Sequence, residues 1–153
     1  MKRAFLLFGA LALAGCLDTS APAPGSDPAT ETFATSLGVN IASMQKTPSG
    51  TYYQDIVVGT GNALTVPPAT AATQVTVDYT GWLKTGEQFD TGTGKPFQLG
   101  GVIYGFADGM IGMNVGGDRL IVVPSDLAYG NSSNGSIPGR STLVFRVKLK
   151  AFQ

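Results

Sequence analysis

The chain has no histidine, and its one cysteine is Cys16. A Ser-His-Asp triad, a Cys-His pair and a histidine- or cysteine-based metal site are therefore excluded within it. What remains for chemistry is a set of aromatic rings, a few carboxylates and the backbone. Tyr79 lies on the inward side of the run "QVTVDYTGWL". Phe89 and Asp90 sit together after the turn "KTGEQ", and Phe97 follows "GKP". Phe106 falls on a helix-periodic stretch, and Phe145 is inward in the last apolar run. Tyr129 opens the polar, glycine-rich loop "LAYGNSSNGSIPG", which Ile137 leaves. Such rings either fill a core or line an apolar cleft with a few polar handles. A tyrosine suits the cleft reading, because it offers an apolar ring and a hydroxyl at once.

The elements that would hold these residues are mostly strands. "GTYYQDIVVG" and "DRLIVVP" read as two of them. In "QVTVDYTGWL", Val75, Val77 and Tyr79 alternate with Thr76, Asp78 and Thr80. "TLVFRVKLKAF" sets Leu143, Phe145, Val147 and Leu149 against Val144, Arg146, Lys148 and Lys150, a strand with one wet face. Ile103, Phe106 and Met110 fall at i, i+3 and i+7, one face of a helix. One short helix among antiparallel strands predicts an α+β domain with the helix covering one face of the sheet.

Composition agrees. Glycine supplies 21 of 153 residues, against a usual share of about 7%, which favours a turn-rich β-containing domain. Formal charge is zero, with ten basic and ten acidic residues, and no basic stripe, so nucleic acid is not an expected partner.

The N-terminus reads as an address. Lys2 and Arg3 precede an apolar run from Ala4 to Ala14 and then small residues, the pattern of a secretory signal peptide over residues 1–15. Leu13-Ala14-Gly15-Cys16 resembles the bacterial lipobox. That resemblance implies a diacylglyceryl group on the Cys16 thiol and an acyl chain, such as palmitate, on its amine. Two or three chains anchor firmly where one does not, at about 0.8 kcal/mol per buried CH₂. Leu17, where an aspartate would favour inner-membrane retention, favours the outer membrane facing the periplasm over the inner membrane. Loss of Lys2 and Arg3 would leave eight basic and ten acidic residues, a formal −2. "LDTSAPAPGSDPATET" reads as a flexible tether. In "FATSLGVNIASMQK", Phe33, Leu37, Ile41 and Met44 predict a short helix, either packed on the domain or free for a partner. The tether and helix span 16–46.

In order, "VTVDYTGWLKTGEQFDTG", "GKPFQLG", "VIYGFADGMIGMNVGGDRLIVVPSDLAYG" and "IPGRSTLVFRVKL" resemble the FKBP-type peptidyl-prolyl cis/trans isomerases, over residues 47–153. The resemblance implies a curved antiparallel sheet wrapped against one short α-helix, with the pocket between them. It implies rotation of X-Pro bonds in proline-containing polypeptides; the N-terminal signal makes these exported polypeptides, and a monomer with no cofactor or metal is expected. It implies catalytic roles for Tyr129, Asp90, Tyr79 and Phe89. Substrate would be bound by Phe97, Val102, Ile103 (through its amide), Phe106 as the floor, Ile137 of the flap and Phe145. The chain departs from the family in four places. Phe106 stands where tryptophan is frequent. "DTGTGKPF" lacks an arginine that pairs the aspartate, leaving Lys95 or Tyr79 to orient Asp90. Asp78 replaces a frequent histidine and should point away from the pocket. The flap is polar and slightly short. A membrane-tethered module that binds proline segments, or a chaperone, with little catalysis is the alternative.

Overall fold

The computed structural model describes residues 27–65 and 72–153. The segment expected to be a signal peptide, Cys16 and the first part of the expected tether lie outside the described residues. Six strands form one antiparallel sheet: β1 (Gln45–Lys46), β2 (Tyr52–Val57), β3 (Gln74–Leu83), β4 (Gln88–Gln98), β5 (Asp118–Val123) and β6 (Leu143–Phe152). Their order across the sheet is β1-β2-β5-β6-β3-β4. Among the described residues one α-helix, α1 (Tyr104–Met110), crosses one face. The α+β expectation holds, and so do the strands read from alternation.

Alternation assigns the two faces. Val75, Val77, Ile121, Val123, Leu143, Phe145, Val147 and Leu149 form one buried cluster with Phe106, Ala107 and Met110 of α1. Their neighbours Leu120, Val122 and Val144 belong to a second cluster, on the other face, with Tyr52. Helix and sheet approach closely because two helix positions lack side chains. A Cβ on Gly105 would collide with Val123, and one on Gly109 with Ile121.

The second cluster revises two readings. Phe33, Leu37, Val39, Ile41 and Met44 do pack on the domain, over Tyr52, Leu120, Val122 and Val144. They do not form the expected α-helix. The segment makes two 3₁₀ turns, Thr35–Leu37 and Ile41–Ser43, broken at Gly38 with φ 64°. A left-handed glycine followed by β-branched Val39 stops a helix, and the apolar spacing is used instead to lay a strap along the sheet. Val144, expected on the wet face of β6, is fully buried beneath this strap. The end of the proline-rich stretch is also engaged. Asp27 caps a 3₁₀ turn, Pro28–Thr30, and accepts a 3.0 Å bond from the Tyr52 hydroxyl. Glu31 accepts from Thr142 at 3.0 Å and pairs with Lys84 at 3.3 Å.

A buried ion pair ties sheet to helix. Arg119 on β5 is 3% exposed. Its guanidinium donates to both oxygens of Asp55, at 2.7 and 2.9 Å. It also donates to the carbonyls of Gly109 and Ile111, at 3.0 and 2.9 Å, and lies 4.4 Å from the centre of the Tyr53 ring. The last carbonyls of a helix have no intrahelical donor, and here a strand supplies one.

Candidate functional site

Between α1 and the β3–β4–β6 end of the sheet lies a cavity of about 410 Å³. It gathers all but one of the residues expected at the site: Tyr79, Phe89, Asp90, Phe97, Val102, Ile103, Phe106, Tyr129 and Phe145. Ile137 is the exception. It is 6% exposed and belongs to the core cluster, held in a small hairpin by reciprocal 2.9 Å bonds with Asn134. Ile137 therefore anchors the flap from beneath rather than lining the cavity. Gly101 lines the cavity and was not foreseen, because a glycine in "QLGGV" reads as turn chemistry.

The floor is an aromatic network. Phe106, in the first turn of α1, meets Phe145 edge-to-face at 5.0 Å, Tyr79 at 6.3 Å and Phe97 at 6.4 Å. Tyr79 meets Phe97 at 5.4 Å, and Phe89 meets Phe145 at 5.6 Å. Edge-to-face rings contribute about 0.5–1.5 kcal/mol per pair beyond burial, so the floor is rigid as well as apolar.

Two features of β3 and β4 aim these groups. Gly81 sits opposite Asp90 on one side and Phe145 on the other. A Cβ there would lie 2.6 Å from Phe89 Cζ and 3.0 Å from Phe145 Cε1, so only glycine leaves room for both rings. The β3–β4 register also shifts between Gly81↔Asp90 and Trp82↔Gln88. Phe89 is the extra residue of that bulge. A bulge re-aims side chains, which is how the consecutive Phe89 and Asp90 both reach one cavity. The strand β4 itself was not foreseen, since "DTGTGKP" carries turn residues.

Asp90 is oriented by Tyr79, one of the two candidates for that role. The Tyr79 hydroxyl donates to Asp90 Oδ2 at 2.7 Å, and the Thr91 N–H donates to Oδ1 at 2.8 Å. Burial, then the bond to Asp90, then the charges of Asp90 and Tyr129 push the Tyr79 phenol up to about 12. Asp78 points elsewhere: it accepts from the Gly94 N–H at 2.8 Å and pairs with Lys150 at 3.0 Å. Tyr129 stands at the mouth, 37% exposed. It follows the 3₁₀ turn Ser125–Leu127, and the Gly130 N–H returns to the Ser125 carbonyl at 2.7 Å. Ile103 caps the start of α1, where backbone N–H groups lack intrahelical acceptors.

The raised Tyr79 pKa makes a checkable statement. The folded value lies above the ordinary 10.0, so the stability linked to the neutral phenol is complete below about pH 10 and is lost as pH rises toward 12. A phenolate absorbance titration should show a late step near pH 12, and Tyr79→Phe should remove that step. Asp90→Asn should lower it part-way, because burial remains. A last step unmoved in both variants would contradict the pairing.

Residues 66–150 match the family described as FKBP-type peptidyl-prolyl cis-trans isomerase. The chain belongs to that family. Among relatives, FK506-binding protein 4 of Mycosarcoma maydis is 43% identical over 109 residues, covering 68% of this chain and 28% of that one. The chain thus spans little more than a quarter of such relatives. Among solved structures, FkpA from Escherichia coli has a TM-score of 0.65 and 34% identity, covering 72% of this chain and 51% of its own. A peptidyl-prolyl cis-trans isomerase from Pseudomonas syringae has a TM-score of 0.65 and 31% identity, covering 72% and 80%. The FKBP-like architecture, an open antiparallel sheet with a short helix, is common to them.

Proposed function

We propose that the protein is a peptidyl-prolyl cis/trans isomerase acting on proline-containing segments of exported polypeptides. The observation that carries this is the cavity itself: an aromatic floor with Asp90, Tyr79, Tyr129 and the start of α1 at its edges. The X-Pro bond resists rotation by about 18–20 kcal/mol because of amide resonance. Resonance places charge on the amide oxygen and nitrogen, and water stabilises that planar form. A ring-lined pocket removes the water around the prolyl nitrogen. It also binds the twisted amide better than either planar isomer, the general requirement for catalysis. The Ile103 N–H and Tyr129 hydroxyl hold substrate carbonyls at the mouth. If each contributes about 1.4 kcal/mol more to the twisted state, each supplies about tenfold in rate. No covalent step is needed.

Catalysis and simple capture of proline segments separate in variants. In Tyr129→Phe and Asp90→Asn, kcat/KM for a Leu-Pro-Phe peptide should fall about tenfold, with Kd changing less. Equal losses in both quantities would favour a binding module.

The second part of the proposal concerns place. The lipobox-like Leu13–Cys16 supports a lipid-anchored protein of the bacterial cell envelope, and Leu17 favours the outer membrane facing the periplasm over the inner membrane. Metabolic labelling with an alkyne palmitate analogue should mark the wild type and not Cys16→Ser. Label that survives this substitution would refute lipidation at Cys16.

A further inference from the structure

One side of the pocket has no side chain. Gly101 lines the cavity at the end of the 3₁₀ turn Leu99–Gly101, two residues before Ile103. Elsewhere in the fold, glycine is enforced. Gly81 makes room for Phe89 and Phe145, while Gly105 and Gly109 let α1 close on β5. Gly38, Gly86 and Gly94 have positive φ. Gly101 has neither reason. Its φ lies outside the left-handed range, and a Cβ built on it meets no atom within 4 Å. The backbone would accept most residues there, and the space beside it is open. The rest of the rim is occupied by side chains: Asp90, Tyr79 and Tyr129 carry polar groups, and Val102 and Ile103 are half-buried.

We propose that Gly101 is a specificity-determining position, and that its missing side chain opens the rim to a bulky residue flanking the proline. This rests on the isomerase reading of the same pocket. The Ile103 N–H fixes the substrate backbone beside α1. A chain held there passes Gly101, so the neighbour of the proline meets bare backbone instead of a wall. Filling the gap should penalise large neighbours more than small ones.

The test uses the whole chain with Gly101→Ala, Gly101→Leu and Gly101→Phe. The probes are Ala-Pro-Phe against Leu-Pro-Phe peptides, and Leu-Pro-Ala against Leu-Pro-Phe. Both kcat/KM and Kd are measured. The expected result is a fall of about tenfold in the large-to-small ratio on one flank for Gly101→Leu and Gly101→Phe, and less for Gly101→Ala. A ratio cancels any uniform loss from altered folding, and the denaturation midpoint should be unchanged because the space is empty. Ratios unchanged on both flanks overturn the proposal. A wild type that does not accelerate rotation overturns the isomerase reading instead. The ratio of Kd values then decides the role of Gly101.

Discussion

Arg119→Met is expected to lower stability by about 3–5 kcal/mol, the usual result of removing one partner from a buried pair. The loss has three sources. Asp55 is left with a carboxylate whose side chain is only 28% exposed. The Gly109 and Ile111 carbonyls lose their donor at the end of α1. The Tyr53 ring loses the guanidinium stacked on it. Methionine keeps much of the apolar stem, so packing alone does not account for the effect. Combining it with Asp55→Leu should recover part of the loss, because no charge is then left without its partner. Urea unfolding of the two single variants and the double variant measures this. A single-variant loss below about 1 kcal/mol would place Arg119 among surface ion pairs and contradict the clamp.

Phe106→Ala should have the largest effect on the site. Phe106 is 4% exposed and touches Tyr79, Phe97 and Phe145. Truncating such a ring costs about 3–5 kcal/mol in stability, and it removes the surface on which a prolyl ring would rest. A loss of about 2–3 kcal/mol of apolar contact in the twisted state corresponds to a fall in kcat/KM of about 30- to 160-fold. Phe106→Leu separates the two effects. It should keep most of the stability and still lose about tenfold in kcat/KM, measured well below the unfolding transition. Full activity in Phe106→Leu would mean that the floor acts only as core.

The parts of the fold legible in the sequence are those where one face is buried. Val75, Val77, Leu143, Phe145, Val147 and Leu149 repeat every second residue because they face the one buried cluster that also holds Phe106, Ala107 and Met110 of α1. Ile103, Phe106 and Met110 show the helical period for the complementary reason. The pocket residues were legible through the order of family motifs, which places Tyr79, Asp90 and Tyr129 at one site although they are distant in the chain. What stayed hidden depends on tertiary partners. β4 carries Gly92, Gly94 and Pro96, and is a strand because it pairs with β3, not because of its own propensities. The strap from Phe33 to Met44 matches a helical spacing, yet that spacing serves contact with the sheet. Arg119 looks like any charged strand residue, since its partner Asp55 lies in another strand. Ile137 has the composition of a flap tip and the environment of a core residue. Gly101 is invisible in sequence because its role is the absence of a side chain.

The central claim is that this pocket accelerates rotation about the X-Pro bond. The most direct measurement is NMR exchange between the cis and trans signals of a Leu-Pro-Phe peptide, with the protein at a small fraction of the peptide concentration. The uncatalysed exchange takes tens to hundreds of seconds. The expected result is exchange within a second or less, reduced by Tyr129→Phe and nearly abolished by Phe106→Ala. Peptide binding that perturbs the pocket without speeding exchange would contradict the account and leave a proline-binding module in its place.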